Sequence, residues 1–292
     1  MAAIIFDGRE KAREIEAGLR QKVAKMRRPP RIASVVFEED EASLLYTKLK
    51  KQAAVRVGIE FSEEVVRVGD RVESLAHRVR TFSGSGDIDG VMVQKPAKGV
   101  WLEHVKDKGE FADWWRRLVV EIGQGRDVDC LNPVNLARVY TGDWQILPAT
   151  VAGIVEILRV ALPERLDEQS VTGLSLLGVR VAVVGRSEIV GRPLAAVLSQ
   201  SGAEVELLGR RSDLSLVREA EIVVSATGKP GLIGGELIRE GAVVVDVGSP
   251  KGDVVFDEVV KKARFITPVP GGVGPMTVAC LLSNLVEMAQ LA

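Results

Sequence analysis

A tyrosine and a lysine that could do chemistry together stand four residues apart in the segment Ser43–Lys50. If the segment is helical, Tyr46 and Lys50 lie on the same helix face. A tyrosine ring can stack on or hydrogen-bond a planar ligand, and a lysine beside it can supply a proton or a positive charge. Because the ordinary pKa of lysine is about 10.4, Lys50 needs burial or a partner to act as a base at neutral pH. The same pair is also common on solvated helices.

Polar side chains follow predicted strands of the first half of the chain. Gln94 comes at the end of the strand Ile88–Val93, and Asp127 and Asp129 lie in a polar segment further on. In open α/β sheets ligands collect beyond the carboxyl ends of the strands, so Gln94 is suitably placed for binding. Asp129 could instead cap a helix, which is the commoner use of such a residue.

A glycine-rich turn follows the apolar strand Val179–Val184 and runs from Gly185 to Pro193. A glycine at the end of a strand lets the backbone approach a phosphate, and Pro193 fits the first turn of a helix. The exposed N–H groups at such a helix start suit a pyrophosphate. Ser187 stands where the second glycine of G-x-G-x-x-G belongs, so a tight turn without a ligand is the alternative.

The turn after the next strand, Val205–Leu208, favours NADP over NAD. Domains that bind NAD tend to place an acidic residue there, for the ribose 2′-hydroxyl. Here the strand is followed by Gly209, Arg210, Arg211 and Ser212. Two guanidinium groups and a hydroxyl suit a 2′-phosphate. A solvated basic turn is the alternative.

The segment Thr267–Thr277 holds three prolines and three glycines. So many prolines and glycines predict a loop, because the interior of a helix or a strand would not tolerate them. The loop could contact a ligand through its exposed backbone, or it could be a rigid connector between domains.

These segments are positioned by alternating strands and helices, which predict a parallel sheet with helical crossovers. From about residue 178 the pattern is that of a doubly wound nucleotide-binding unit. The stretch 99–126 predicts a helix in an extended connection, and an apolar helix closes the chain at 281–291. The predicted helices of the first half are 9–26, 43–57 and 72–82, its strands are 32–37, 65–68 and 88–93, and the later strands are 179–184, 205–208, 222–225 and 242–247.

Composition excludes several classes of function. A chain of 292 residues predicts two domains. Its 39 basic and 40 acidic residues give a net charge of −1, so no general attraction to nucleic acid or membranes is expected. Two cysteines and two histidines predict neither a disulfide framework nor a metal site. Because the sequence shows no membrane-spanning run and no signal-peptide layout, we expect a cytoplasmic protein.

Taken together and in this order, the segments resemble the bifunctional methylenetetrahydrofolate dehydrogenase/methenyltetrahydrofolate cyclohydrolase family. The resemblance spans nearly the whole chain. Its motifs are Ser43-x-x-Tyr46-x-x-x-Lys50, Val93-Gln94-x-Pro96, Asp127-Val128-Asp129, Pro148-x-Thr150, Gly185-Arg186-Ser187-x-Ile189-Val190-Gly191-x-Pro193, Asp246-Val247-Gly248 and Thr267 through Thr277.

The resemblance implies an α/β protein with an N-terminal catalytic domain over residues 1–147 and a central Rossmann-like NADP-binding domain over residues 148–274. A C-terminal helix within 275–292 returns to the first domain. The implied activity is oxidation of 5,10-methylenetetrahydrofolate to the 5,10-methenyl form with NADP, followed by hydrolysis to 10-formyltetrahydrofolate. The implied partners are tetrahydrofolate derivatives and a second copy of the chain, as a homodimer.

The resemblance also implies residue roles. Lys50 is the general acid and base of the cyclohydrolase step, Tyr46 stacks on the folate, Gln94 hydrogen-bonds Lys50, and Asp129 binds the pterin ring. The implied cofactor residues are Gly185, Arg186, Ser187, Ile189, Arg210, Thr227, Gly228, Val247, Gly248 and Thr277. The implied substrate residues are Tyr46, Lys50, Asp129, Pro268, Pro270, Gly271 and Gly272.

The chain departs from the family pattern at several positions. Cys130 stands where glycine is usual, and Lys95 replaces an apolar residue after Gln94. Ala149 and Val151 replace the usual cysteine and proline around Thr150, and the connection from Gln94 to Asp129 is longer than usual. These changes bear on how the folate tail is held.

Two rival interpretations remain. Another NADP-linked two-domain dehydrogenase, for an amino acid or a shikimate-like acid, would explain the second half of the chain but not Tyr46 and Lys50. A non-catalytic NADP-sensing scaffold would be favoured if Lys50, Gln94 or Asp129 were missing, and all three are present.

Overall fold

The computed structural model describes residues 2–106 and 109–291. The chain divides into two compact units, each built around a parallel sheet. The three-stranded unit comprises Glu14–Ala137, Gln145–Ala149 and the residues from Leu281. The six-stranded unit comprises the residues up to Arg13, Arg138–Trp144 and Thr150–Cys280. Both sheets are parallel and flanked by helices, so the predicted α/β class is confirmed.

The helices of the described chain include those predicted at 9–26, 43–57, 72–82 and 281–291, and several that were not predicted. They are α1 (Gly8–Val23), α2 (Glu41–Val57), α3 (Val72–Gly84), α4 (Lys98–His104), α5 (Phe111–Val119), α6 (Pro133–Thr141), α7 (Ala149–Ala161), α8 (Gly191–Gln200), α9 (Phe256–Val259) and α10 (Val273–Leu291).

The sheet of the three-stranded unit has the order β3-β2-β4. Its strands are β2 (Arg31–Phe37), β3 (Glu60–Val66) and β4 (Gly90–Val93). The central strand β2 is buried at every position after Arg31, as expected for a strand that is covered on both faces. The edge strand β3 begins five residues before the predicted strand, because its exposed polar positions hide it from an apolar pattern.

The stretch 99–126 is not one helix but α4, α5 and a short 3₁₀ helix at Gln124–Arg126. Its tryptophans are buried, and Trp114 packs against Phe37 of β2 with ring centroids 5.6 Å apart. Lys95 Nζ lies 5.6 Å from the centroid of Phe111 and 5.4 Å from that of Trp115. These are cation–π contacts. The longer connection therefore extends the core and also fixes the residue that follows Gln94.

The sheet of the six-stranded unit has the order β1-β9-β8-β7-β5-β6. Its strands are β1 (Ile4–Ile5), β5 (Arg180–Val184), β6 (Glu204–Leu208), β7 (Ile222–Ser225), β8 (Val243–Asp246) and β9 (Phe265–Ile266). The central strands β7 and β8 are buried throughout. β6 pairs with one side of β5, and the next strand along the chain, β7, pairs with the other side. The turns at the ends of β5 and β7 therefore lie at a topological switch point, where nucleotides bind in such folds.

The predicted loop at Thr267–Thr277 is wrong in its second half. The segment Thr267–Thr277 is a loop only up to Gly272, because α10 begins at Val273 and contains Pro275 and Thr277 in its first turns. Proline is tolerated there, since the first N–H groups of a helix have no intrahelical partner.

No helix in the described part of the chain is long and apolar enough to cross a bilayer. Residues 2–106 and 109–291 also contain no group of three His, Cys, Asp or Glu side chains arranged to hold a metal ion.

Candidate functional site

The helix that carries Tyr46 and Lys50 is anchored at its start by Asp40. The Asp40 carboxylate accepts a hydrogen bond from Ser43 N, at 3.2 Å, and so caps α2. Its other oxygen accepts from Ala97 N, at 2.8 Å. One side chain therefore fixes the start of α2 relative to the segment that follows β4 and contains Gln94.

Lys50 lies on the buried face of α2, with Ser43, Thr47 and Ala54, and only 6% of it is exposed. Burial lowers the pKa of Lys50, and the negative charge of Asp129 opposes part of this shift. A lysine with a lowered pKa can exchange a proton closer to neutral pH than a solvated one. Tyr46, one helical turn earlier, is half-buried.

Gln94 directly follows β4, and its N–H donates to Val35 O of β2, at 2.9 Å. The side chain is buried, and its Nε2 lies 3.9 Å from the sulfur of Met92. Within residues 2–106 and 109–291, Gln94 makes no hydrogen bond to Lys50, which differs from the contact that the family resemblance implies. Its amide is therefore available for a ligand or for a rearranged lysine.

Asp127 holds the turn that presents Asp129. Its backbone forms a parallel bridge with Val91 of β4. Its carboxylate accepts hydrogen bonds from Leu131 N and Asn132 N, both at 2.8 Å, and from Asn135 Nδ2 at 3.0 Å. Burial raises the pKa of Asp127 to about 6 in spite of these donors. Because its oxygens are occupied by the turn itself, Asp127 is a structural residue.

Asp129 is the second charged group near Lys50. Its Oδ1 accepts from Ala149 N, the first residue of α7, at 3.2 Å. Asp129 therefore caps the start of α7, and its charge also interacts with that of Lys50. Burial raises the pKa of Asp129, and the positive charge of Lys50 opposes the rise. The next residue, Cys130, has a φ of 53°, the left-handed conformation that explains the glycine usual at this position.

Asn284 of α10 also positions this segment and was not predicted from the sequence. Its Nδ2 donates to Val128 O and to Leu147 O, both at 2.9 Å. The side chain is buried. This contact confirms that the C-terminal helix returns to the three-stranded unit. Ser283, Glu287 and Gln290 also interrupt the apolar pattern of 281–291, so no signal in the sequence singles out Asn284.

The turn after β5 has the backbone that a phosphate site requires. Gly185 has a φ of 121°, and a Cβ there would overlap the carbonyl group of Ala226. A Cβ on Gly191, the first residue of α8, would overlap the carbonyl oxygen of Gly185. The partly exposed segment between them leads to the positive end of the α8 dipole, so the turn fits the phosphates of a dinucleotide.

Side chains around this turn also fit the predicted cofactor. Ser187 Oγ accepts from Val190 N and Gly191 N, both at 3.2 Å, and thus caps the start of α8. The side chain of Arg186 packs over Gly209, and Gly209 N donates to Ser212 Oγ at 2.9 Å. Arg186 therefore lies beside the turn that carries Arg210, which is exposed. The two arginines provide a basic surface for a 2′-phosphate.

Four of the remaining predicted cofactor residues lie just after strand ends of the same unit. Thr227 and Gly228 follow β7, and Val247 and Gly248 follow β8. Thr277 lies in α10, and its hydroxyl donates to Val273 O at 3.1 Å. Ile189 lies in the turn between β5 and α8.

The loop that contains Pro268, Pro270, Gly271 and Gly272 belongs to the six-stranded unit, whereas Tyr46, Lys50 and Asp129 belong to the three-stranded unit. Gly272 N donates to Pro268 O at 2.9 Å, so the loop closes on itself. Gly8 packs so closely on Gly272 that a Cβ would overlap its carbonyl oxygen.

Comparison with known proteins gives a family match for each part of the chain. Residues 6–108 match the tetrahydrofolate dehydrogenase/cyclohydrolase catalytic domain, and residues 148–292 match the NAD(P)-binding domain of the same family. The bifunctional protein FolD of Macrococcus caseolyticus is 34% identical, with 100% of this chain and 99% of the relative covered. The bifunctional protein FolD of Bacillus licheniformis is also 34% identical, with 99% and 98% covered.

Solved structures give the same result. The bifunctional FolD enzyme of Campylobacter jejuni superposes with a TM-score of 0.86 at 30% identity, covering 99% of each chain. FolD of Trypanosoma brucei, solved with NADP cofactor and an inhibitor, also has a TM-score of 0.86, at 32% identity, covering 100% of this chain and 98% of that one. The chain therefore belongs to the tetrahydrofolate dehydrogenase/cyclohydrolase family.

Proposed function

We propose that the protein oxidises 5,10-methylenetetrahydrofolate to 5,10-methenyltetrahydrofolate with NADP and then hydrolyses the product to 10-formyltetrahydrofolate. The observation that carries the proposal is the buried Lys50, whose pKa is lowered by burial and whose charged neighbour is Asp129. A buried lysine is costly to keep, and such residues are typical of sites that transfer protons.

NADP, when bound, supplies the acceptor for a hydride from the methylene carbon. The turn from Gly185 to Gly191 would hold its pyrophosphate, and Arg186 with Arg210 would hold its 2′-phosphate. No residue needs to accept a proton in this step, because the folate nitrogens stabilise the cation that forms. The protein's task here is orientation.

The hydrolytic step needs a proton shuttle. Water adds to the methenyl carbon and loses a proton, and neutral Lys50 is the group proposed to accept it. The bond from this carbon to N5 then breaks while N5 is protonated, and the resulting Lys50 ammonium is the proposed donor. The remaining hydroxyl proton leaves to solvent as the formyl C=O forms, so one proton is released overall. Asp129 favours the ammonium form, and Tyr46 and Gln94 are proposed to hold the folate ring and the lysine.

The purified protein should reduce NADP in the presence of 5,10-methylenetetrahydrofolate, which is measured by NADPH fluorescence. It should also hydrolyse supplied 5,10-methenyltetrahydrofolate above the spontaneous rate when no NADP is present. Failure of the first assay would remove the dehydrogenase from the proposal, and failure of the second would remove the cyclohydrolase.

Replacing Arg210 with alanine should raise the Michaelis constant for NADP by about tenfold or more, since a hydrogen bond to a charged group contributes about 1.5–3 kcal/mol. The Michaelis constant for NAD should hardly change, because NAD has no 2′-phosphate. Arg239→Ala, another exposed arginine of the same unit, is the control and should leave both constants unchanged. A wild-type protein that prefers NAD would contradict the assignment.

We also propose that the protein is a homodimer in the cytoplasm. The family resemblance supports the dimer, and two buried cysteines that are not disulfide-bonded are compatible with a reducing compartment. Light scattering at micromolar concentration should give about twice the chain mass of 31.5 kDa. A mass equal to one chain at every concentration would contradict the dimer.

A further inference from the structure

A buried carboxylate that has no predicted role lies beneath the turns at the ends of the central strands of the six-stranded unit. Asp253 is fully buried, and its Oδ2 accepts from Ser225 Oγ at 3.0 Å and from Thr227 N at 2.6 Å. Ser225 is the last residue of β7, and Thr227 lies two residues later. The carboxylate therefore holds the turn that leaves β7.

Asp253 is itself held by a second carboxylate. Asp246, the last residue of β8, accepts from Asp253 N and from Val254 N, both at 3.0 Å, and from Gly248 N at 2.8 Å. The two side chains thus connect the end of β8 to the end of β7 through Asp253. Both are buried, so the connection is shielded from water.

The turn held by Asp253 touches the proposed phosphate-binding turn. Ala226 N donates to Val184 O at 2.7 Å, and the carbonyl group of Ala226 occupies the space that a Cβ on Gly185 would need. A shift of the turn after β7 would therefore change the conformation available to Gly185. The connection runs from Asp246 through Asp253 to the backbone on which the cofactor would lie.

The arrangement is poorly explained by stability alone. In the part of the chain that the structure describes, Asp253 Oδ1 is buried and has no hydrogen-bond partner. A buried carboxylate oxygen without a donor is unfavourable, and such groups in native structures call for another explanation. Burial raises the pKa of Asp246, and the nearby negative charge of Asp253 adds to the rise.

We propose that Asp253 is a positioning residue that holds the Thr227–Gly228 turn in the conformation required for NADP binding. It acts through the backbone of this turn and does not itself touch the cofactor. The proposal rests on the use of NADP proposed above. It adds a residue outside the strand-end motifs, in a segment whose sequence gives no sign of a cofactor site.

Asp253→Ala removes the acceptor of Thr227 N and should raise the dissociation constant for NADP, measured by calorimetry, by about tenfold or more. Asp253→Asn loses the charge and replaces one oxygen with an NH2 group, but its remaining oxygen can still accept from Thr227 N, so it should bind NADP within about threefold of the wild type. Hydrolysis of 5,10-methenyltetrahydrofolate without NADP should be unchanged in both variants. Glu258→Gln is the matched control, because Glu258 also accepts from a backbone N–H, that of Gly235, and its change should leave NADP binding unaltered.

A purely structural role would lower the NADP-independent hydrolysis together with NADP binding, or would lower the melting temperature alone, and either result would overturn the proposal. Wild-type NADP affinity in Asp253→Ala would do the same.

If Asp253→Ala does not fold, hydrogen exchange in the wild type decides, because the Thr227 amide should already be protected without NADP. Exchange that slows only when NADP is added would overturn the proposal. Absence of both wild-type activities would instead reject the proposed function itself.

Discussion

Replacing Lys50 with methionine is expected to lower the rate of methenyltetrahydrofolate hydrolysis by about 10²–10⁴-fold, the usual contribution of general acid–base catalysis. Ring opening requires both removal of a proton from water and protonation of a ring nitrogen, and Lys50 is the proposed shuttle. Hydride transfer requires neither, so the dehydrogenase should fall less and methenyltetrahydrofolate should accumulate. Methionine has a similar length and removes a buried charge, so the fold should be retained. Each step is measured separately, with methenyltetrahydrofolate supplied directly for the second.

The pH dependence of hydrolysis is an independent test of the role of Lys50 as the proton acceptor. Lys50 must be neutral to accept a proton, and burial lowers its pKa. The rate should therefore rise with pH through an inflection below the ordinary lysine value of about 10.4, and the inflection should vanish in Lys50→Met. Lys48→Met, an exposed lysine of the same helix, is the control and should behave as the wild type. Hydrolysis near the wild-type rate in Lys50→Met would remove Lys50 from the mechanism.

Replacing Gly191 with alanine is expected to weaken NADP binding by about 100-fold or more. The added Cβ would overlap the carbonyl oxygen of Gly185, a backbone atom that cannot move aside without opening the turn between β5 and α8. Overpacking of this kind costs about 3 kcal/mol at the upper end of its usual range. This free energy corresponds to an affinity that is about 100-fold lower. The dissociation constant for NADP is measured by calorimetry. Hydrolysis of methenyltetrahydrofolate without NADP should persist.

Gly18→Ala is the matched control for this change. Gly18 lies within α1, and a Cβ there would meet no atom within 4 Å. Alanine should leave NADP affinity unchanged and raise the free energy of unfolding by about 0.5–1 kcal/mol, because glycine is unfavourable inside a helix. Wild-type NADP affinity in Gly191→Ala would show that the turn does not form the cofactor site.

The sequence predicted the strands of four or more residues, β3 only at its last two residues, and missed the two-residue strands. The interior positions of β2, β5, β7 and β8 are all apolar except Ser34, and a buried parallel strand has that signature. The two-residue strands β1 and β9 are too short to produce a pattern. The error at Val273 has a different cause, since proline and glycine at a helix start resemble those of a loop.

The candidate site could be predicted only where a residue type and its neighbours carry the signal. Tyr46 and Lys50 share a helix face, and that spacing is visible in the sequence. Asn284 and Asp253 act from segments far along the chain from the residues they hold. Their roles depend on tertiary contacts, so no local pattern could reveal them. The burial that lowers the Lys50 pKa is likewise a property of the folded chain.

The most direct test of the proposed bifunctional activity uses 5,10-methylenetetrahydrofolate that carries two deuterium atoms on the methylene carbon. This substrate is incubated with the protein and NADP, and the products are analysed by mass spectrometry. We expect one deuterium in reduced NADP and one in the formyl group of 10-formyltetrahydrofolate, with the formyl product appearing faster than spontaneous hydrolysis allows. Formation of deuterated methenyltetrahydrofolate that is hydrolysed only at the spontaneous rate, or the absence of deuterium from reduced NADP, would contradict the account.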